Sequence, residues 1–276
     1  MDRREFLKVF GAGTVASAAA LTGCDKIKDD LATEGDSGEA ALGCIDGSKM
    51  TYRTNPTSGD VVSLLGFGMM RLPTVYGESA RQSDDPINQK RLNEMVDYAM
   101  SHGVNYYDTA PVYCKGMSEA AVGEALSHHD RSKYFVATKL SNFNPALWSR
   151  EESLKMYHKS FEYLRVDYID YYLLHSVGGD KDGMDSMTML KQRYFDNGVL
   201  DFLIEERKAG RIRNLGFSFH GDIKVFDYML SLHETIHWDF VQIQMNYVDW
   251  HNMEDGDATA EYMYTRLAER NIPVVI

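Results

Sequence analysis

The stretch Tyr168-Ile169-Asp170-Tyr171-Tyr172-Leu173-Leu174-His175 decides the fold class of this chain. Its apolar side chains fall on both faces of an extended segment, the pattern of a strand that is covered on both sides. A helical stretch ending near Gly210 follows it, and another strand is predicted over 214–219. A strand, a helix and a further strand in this order indicate a βαβ unit and a parallel sheet.

The same alternation extends through most of the chain. Further strands are predicted over 61–70, 105–109, 134–140 and 240–246, with another beginning at 273, and helical patterns lie between them. This succession favours a (β/α)8 TIM barrel over an open, doubly wound sheet. The open sheet would carry a glycine-rich phosphate loop after its first strand, and the run from Gly66 to Arg71 does not fit that pattern. We therefore expect an α/β barrel.

The last predicted strand leaves this barrel incomplete. It begins at Pro273, and the sequence stops at Ile276. A barrel without its final strands would leave free edges and uncovered apolar faces. We therefore expect the chain to be a fragment that is truncated in the seventh strand. We also expect that activity would require the missing tail.

Composition excludes several classes of protein. The chain has 276 residues, of which 44% are hydrophobic and 25% charged, as in ordinary globular proteins. Its formal net charge of −12 argues against nucleic acid as a partner, because phosphate binding needs a basic surface. The three cysteines, Cys24, Cys44 and Cys114, are too few for a disulfide scaffold and show no CxxC spacing, so we expect no metal site within this chain.

The first 24 residues resemble an export signal. Arg3 and Arg4 precede Phe-Leu-Lys and a soft apolar run over 9–22, which is too short to cross a hydrocarbon core of about 30 Å. Paired arginines resemble the twin-arginine signal, whose pathway exports folded proteins. The sequence Leu-Thr-Gly-Cys ending at Cys24 resembles a bacterial lipobox, in which lipid is attached to the cysteine. The alternative is a frayed amphipathic helix with an incidental cysteine.

These features predict the domain organisation and the location. Residues 1–24 would be the signal peptide, and Cys24 would become the lipid anchor. Residues 25–56 are rich in Asp, Glu, Gly, Ser and Thr, a composition that predicts a flexible tether. Residues 57–276 would form the barrel. We expect a protein anchored by lipid in the bacterial cell envelope, on the periplasmic side.

Polar residues terminate the predicted strands, each after an apolar run. In a barrel, the functional side chains gather at the carboxyl ends of the strands. Those ends therefore predict one shared site, whose members in chain order are Asp108, Lys139, His175, Ser218, Gln244 and Asn246.

The segment from Asn105 to Tyr113 adds a specific resemblance. It reads Asn-Tyr-Tyr-Asp-Thr-Ala-Pro-Val-Tyr, with a tyrosine five positions after Asp108. It is similar to the signature of the aldo/keto reductase family, and Ala-Thr-Lys at Lys139 and Leu-Leu-His at His175 match the other two members of that family's tetrad. The resemblance extends from about residue 61 to the end of the chain. It implies a TIM barrel that transfers hydride between NADP or NAD and a small carbonyl or alcohol.

The family's chemistry implies a role for each matched residue. Tyr113 would donate the proton to the carbonyl oxygen, although a phenol has an ordinary pKa near 10. Lys139 would lower that pKa by favouring the phenolate, and Asp108 would orient Lys139. His175 would hydrogen-bond the carbonyl oxygen. The resemblance assigns Ser218 and Gln244, with Asn246 as a weaker candidate, to the nicotinamide carboxamide.

Two departures point to a particular branch and to alternatives. The family often has Ser-Asn where this chain has Ser218-Phe219, which leaves the family's second carboxamide contact open here. This form and the sequence around Gln244 resemble an exported bacterial branch with an appended ferredoxin-type 4Fe–4S module, which would lie after Ile276. One alternative is therefore an envelope redox module with an electron-transfer partner. Another is a non-catalytic barrel that senses the cofactor.

Overall fold

The computed structural model of the chain describes residues 50–77, 79–80, 83–179, 183–251 and 259–276. Its strands are β1 Tyr52–Thr54, β2 Val61–Ser63, β3 Phe67–Gly68, β4 Tyr106–Asp108, β5 Phe135–Leu140, β6 Ile169–Val177, β7 Ile212–Phe219, β8 Phe240–Gln242 and β9 Val274–Val275. Its α-helices are α1 Gln89–Ser101, α2 Ser118–Leu126, α3 Arg150–Leu164, α4 Ser186–Leu190, α5 Val199–Lys208, α6 Ile223–Ser231, α7 His233–Ile236 and α8 Ala260–Ala268. Turns of 3-10 helix cover Tyr113–Gly116, Arg131–Lys133 and Pro145–Leu147, and a π-helical turn covers Lys191–Phe195. The predicted signal, Cys24 and Cys44 lie outside the described residues.

The strands from β3 to β9 form a parallel sheet in chain order, as a barrel requires. Each strand pairs only with its neighbours in sequence, and helices connect them. A doubly wound sheet would reverse its strand order at a switch point, which the seven strands of this sheet do not. The α/β barrel class is therefore confirmed as a curled sheet whose edges, among the described residues, are β3 and β9.

The first predicted strand is wrong in part. The pattern over 61–70 indicated one strand of the barrel, but β2 pairs antiparallel with β1, and only β3 joins the parallel sheet. Asn105 holds β2 outside the parallel sheet, because its side chain bonds to the β2 backbone. That side chain accepts from Ser63 N at 2.7 Å and donates to Val61 O at 2.9 Å. The described fold also begins earlier than the predicted boundary at 57, since β1 lies within the predicted tether.

A turn between β1 and β2 explains this early start. Asn55 O accepts from the Gly59 amide, and the Asn55 amide donates to Asp60 O, each at 2.8 Å. Gly59 has a φ of 78°, which glycine adopts without strain. Asp60 then ties the hairpin to the sheet, because its Oδ2 accepts from Tyr171 Oη at 2.8 Å and from Asn214 Nδ2 at 3.1 Å.

The parallel sheet separates two apolar layers. Successive side chains of a strand point to opposite faces. One face packs against the helices, with Val136, Tyr172 and Phe217 fully buried there. The other face forms the barrel interior, where the buried cluster is Tyr106, Ala137, Tyr171, Leu173 and Phe240. The interior positions of β4, β5 and β6 continue toward the strand ends as Asp108, Lys139 and His175, so the alternation aims all three at one mouth.

Side-chain caps mark the starts of two helices. Ser149 caps α3 by accepting from Glu152 N, and Asp222 caps α6 by accepting from Lys224 N. Such caps satisfy amides that the first turn leaves free. Asn88 caps α1 in the same way, because its side chain accepts from Arg91 N.

Candidate active site

Asp108 and Lys139 form a buried ion pair at the mouth of the barrel. Lys139 Nζ donates to Asp108 Oδ1 at 2.6 Å and to Thr109 O at 2.8 Å. The lysine side chain is only 1% exposed, and its partner is 14% exposed. A buried ammonium needs such partners, because desolvation otherwise costs several kcal/mol. The pair therefore fixes the lysine head group in place.

Tyr113 lies against this ammonium. Lys139 Nζ is 4.7 Å from the centroid of the Tyr113 ring, and that ring lies edge-on to His175 with centroids 5.8 Å apart. The structure thus brings together all four residues that the sequence predicted as a tetrad.

An unusual turn presents Tyr113 to the site. The two residues after it, Cys114 and Lys115, both have a φ of 50° in the left-handed region. Non-glycine residues adopt this region at a cost of about 1–2 kcal/mol each. The buried Cys114 thiol lies 3.5 Å from Met70 O and 3.7 Å from Met69 O, next to β3. These contacts tie the strained turn to the first strand of the barrel.

Burial opposes Lys139 in setting the acidity of the phenol. Burial is the largest effect and raises the pKa of Tyr113, Lys139 lowers it, and Asp108 raises it. The net direction of the Tyr113 pKa is upward, because burial outweighs the lowering by Lys139. The lysine still acts in the predicted direction.

His175 is held as a neutral imidazole. Burial, followed by the nearby charges of Lys139 and Arg193, lowers the pKa of His175 well below its ordinary value. Its Nδ1 lies 2.6 Å from Ser141 Oγ. Sequence reasoning missed Ser141, although it lies two positions after Lys139, just beyond the strand.

A β-bulge follows His175. The ladder between β6 and β7 shifts register between Leu174 and Val177, and Ser176 has a φ of 50°. Arg193, from the π-helical turn, donates to His175 O at 2.7 Å, and Ser218 Oγ accepts from Ser176 N at 2.8 Å. Bulges and π-helical turns recur beside functional sites, where they redirect side chains.

The predicted cofactor residues divide into two groups. Ser218 lies in β7, half-buried, and pairs in register with Gln242 of β8. Gln244 and Asn246 lie after the end of β8, both exposed, and both donate to Asp249 Oδ2. Ser218 and Gln242 are therefore neighbours on adjacent strands, whereas Gln244 and Asn246 lie in a polar loop.

Sequence reasoning missed Gln242. The predicted strand extended to 246, so its polar end was placed two to four residues too late. Alternation was the signal that could have found it, since 240, 242 and 244 share one face of a strand. Phe219, where the family often has Asn, packs against Phe226 with ring centroids 4.9 Å apart. Its side chain therefore belongs to the apolar layer.

A cavity of about 470 Å³ opens into the barrel interior between β3 and β9. Asp108, Gln242, Tyr106 and Tyr171 contribute to its lining. Asp108 Oδ2 is buried and lacks a hydrogen-bond partner within the described residues. Asp108 and Gln242 thus bring a carboxylate oxygen and a side-chain amide to this cavity, and Ser218 lies beside Gln242 in the sheet.

The described part of the chain contains neither a cluster of metal ligands nor a membrane-spanning helix. No group of three or more His, Cys, Asp or Glu residues there is arranged to hold a metal ion. No helix in that part has the length and apolar character needed to cross a membrane.

Known proteins resemble the chain in sequence and in fold. L-galactose dehydrogenase from Arabidopsis thaliana is 32% identical over 146 residues, which are 51% of this chain and 43% of that protein. The chain spans about half the length of the curated relatives it matches. The holo form of an aldo-keto reductase from Bacillus halodurans is 26% identical, with a TM-score of 0.59 over 82% of this chain and 65% of that one.

A further structure matches in fold. It is an aldo-keto reductase from Klebsiella pneumoniae in complex with NADPH, 18% identical, with a TM-score of 0.57 over 82% of this chain and 67% of that one. The model of the aldo/keto reductase family matches residues 64–275. That match covers most of the chain and includes every residue of the tetrad. The chain therefore belongs to the aldo/keto reductase family.

Proposed function

We propose that this protein is an NADP- or NAD-dependent oxidoreductase that reduces a small carbonyl, or oxidises the corresponding alcohol, with Tyr113 as general acid and base. One observation carries the proposal. A single buried ammonium, Lys139 Nζ, donates a hydrogen bond to Asp108 and lies 4.7 Å from the Tyr113 ring, and His175 lies edge-on to that ring with centroids 5.8 Å apart. The NADPH complex of the Klebsiella pneumoniae relative supports the choice of NADP.

The nicotinamide cofactor supplies the hydride when bound. Asp108 Oδ2, Ser218 and Gln242 are the groups that would hold its nicotinamide end. Asp108 and Gln242 line the same cavity, and Ser218 pairs with Gln242. Gln242 replaces Gln244 in this role because it lies on the strand beside Ser218.

Tyr113 then controls the proton. Reduction places negative charge on the carbonyl oxygen, and the phenol neutralises that charge by proton transfer. Burial alone makes phenolate formation costly, and Lys139 offsets part of that cost by its positive charge. Asp108 keeps the ammonium in position, since its Oδ1 accepts one of the three Lys139 protons.

His175 completes the polar surroundings of the carbonyl oxygen. A neutral imidazole can donate one hydrogen bond without competing as a proton source. Its ring lies edge-on to that of Tyr113 with centroids 5.8 Å apart, close enough for both groups to contact one bound oxygen in the proposed reaction. Two fixed donors around one oxygen would stabilise the charge that develops there.

Replacement of the phenol tests the proposal. In the full-length protein, Tyr113→Phe is expected to lower kcat for carbonyl reduction by about 10²- to 10⁴-fold, the usual contribution of a general acid. Binding of NADPH, followed by fluorescence titration, should be almost unchanged. Tyr134→Phe is the matched control, because Tyr134 is also buried but lies at the start of β5, away from the mouth. A Tyr113→Phe protein that kept most of the wild-type rate would refute the assigned acid.

We also propose export by the twin-arginine pathway and lipid attachment at Cys24, on the support of the pattern over residues 1–24. Export of a folded protein would allow the cofactor to be bound before transport. The iron–sulfur module and its electron-transfer partner concern a segment after residue 276 and stay predictions, as does the cofactor-sensing alternative.

A further inference from the structure

A short hydrogen bond joins His175 to a serine that no predicted role included. Ser141 Oγ lies 2.6 Å from His175 Nδ1, and both residues are buried, at 1% and 8% exposed. Ser141 follows the last residue of β5, and His175 lies near the end of β6. Two adjacent strands therefore hold the two side chains together.

The hydroxyl proton of Ser141 decides the direction of this bond. A serine hydroxyl has one proton, and in a buried site that proton needs an acceptor. Within the described residues, His175 Nδ1 is the partner that Ser141 Oγ contacts. The hydroxyl therefore donates, and Nδ1 accepts. In a neutral imidazole that accepts at Nδ1, the proton is on Nε2.

The reverse arrangement is unfavourable. An imidazole with a proton on Nδ1 would donate to Ser141, and the serine proton would then lack an acceptor. Leaving a buried donor unsatisfied costs the full desolvation penalty of that group. Protonation of both ring nitrogens has the same fault and adds a third positive charge beside Lys139 and Arg193.

We propose that Ser141 is a positioning residue that fixes His175 as the Nε2–H tautomer, so that the imidazole presents a hydrogen-bond donor to the mouth. This inference rests on the proposed carbonyl reduction for its use, because a carbonyl oxygen needs a donor there. The tautomer itself is a property of the protein and can be measured without any substrate.

The surroundings of His175 support the assignment. Lys139 and Arg193 are the charged side chains that lower its pKa from neighbouring elements, while the Asp108 charge is paired with Lys139. Tyr113 and Tyr194 are the nearby phenols, and the Tyr194 hydroxyl accepts from the His175 amide at 3.1 Å. The backbone is thus fixed separately from the ring, which leaves Ser141 as the group that selects the tautomer.

Long-range proton–nitrogen NMR of the full-length protein, labelled with 15N-histidine, measures the tautomer. The wild-type spectrum at pH 7.5 should show His175 protonated on Nε2, with the signal assigned by its loss in His175→Gln. In Ser141→Ala we expect both tautomers, together with a fall of about tenfold in kcat and little change in KM, the effect of one hydrogen bond.

Ser160→Ala is the matched control, because Ser160 is another fully buried serine and lies on α3. It should leave the His175 spectrum unchanged. An Nδ1–H tautomer in the wild type would overturn the proposal even if Ser141→Ala failed to fold. An unchanged spectrum in a folded Ser141→Ala protein would overturn it as well. Failure of the wild type to reduce any carbonyl would refute the proposed function and leave the tautomer result intact.

Discussion

Lys139 has two effects that a single substitution separates. It is the partner of Asp108 and the group that opposes burial in setting the pKa of Tyr113. In Lys139→Met, burial and the Asp108 charge act without that opposition, so the pKa of Tyr113 rises further. The phenol becomes a weaker acid, and we expect kcat/KM for reduction to fall at least 100-fold.

The pH–rate profile of Lys139→Met distinguishes this effect from general damage. In the proposed reaction, reduction needs the protonated phenol, so activity is expected to decline above the pKa of Tyr113. A higher pKa moves that alkaline limb to higher pH in Lys139→Met. Lys115→Met is the control, since Lys115 makes an exposed ion pair with Asp84 and such pairs contribute little. A limb that stayed at the wild-type pH would contradict the role of Lys139.

Single residues also show what a sequence can predict about this site. Asp108, Lys139 and His175 could be predicted because each ends an apolar run, and parallel strands end at the same mouth. Ser141 and Arg193 could not, because each acts through a contact between elements that are distant in sequence. Arg193 reaches His175 O from a π-helical turn, and no periodic pattern marks such a turn.

At the scale of elements, most strands and helices follow from periodicity, while the ends of strands do not. The strand predicted over 134–140, for example, matches β5 to within one residue. The end of β8 was not, because residues 243–246 continue an alternating pattern after the pairing with β7 has stopped at Gln242. The break between β2 and β3 was also missed, because the apolar pattern continues across it. The break depends on hydrogen bonds with Asn105, which lies elsewhere in the sequence.

The contact between α2 and α3 gives a prediction at this scale. A Cβ on Gly123 would lie 2.1 Å from Tyr163 O and 2.7 Å from Leu164 Cα, so the two helices would have to separate. Gly123→Ala should therefore lower the free energy of unfolding by about 2 kcal/mol, despite the better helix propensity of alanine. Chemical denaturation measures it. Gly68→Ala is the control, with no atom within 4 Å of its added Cβ, and equal effects would contradict the prediction.

At the scale of the whole molecule, the buried apolar residues form two separate clusters. One fills the barrel interior, and the other lies between the sheet and the helices. The order of strands and the barrel class followed from the regular spacing of βαβ units along the chain. The hairpin of β1 and β2 did not, because β1 lies in a segment whose composition is typical of a tether. Its place depends on Asp60, whose partners Tyr171 and Asn214 lie more than a hundred residues away.

The proposed anchor is a property of the whole protein and is tested on whole cells. Cys24→Ala removes the residue to which lipid would be attached, so the exported protein should move from the membrane fraction to the soluble periplasmic fraction. Fractionation with an antibody against the barrel follows it. Cys114→Ala is the control, because Cys114 is a buried thiol beside Tyr113 and should leave fractionation unchanged. Membrane association that persisted in Cys24→Ala would refute the anchor.

The β6–β7 ladder has a further consequence for how the site keeps its shape. Near the start of the ladder, Tyr171 and Asn214 both donate hydrogen bonds to Asp60. At its other end, hydrogen bonds from Arg193 and to Ser218 hold the bulge after His175. A slip of the two strands by even one residue would break both fastenings at once and turn inward-facing groups outward. Hydrogen bonds at both ends thus fix the register of the longest ladder in the sheet. They thereby also fix the position of His175 along the barrel axis.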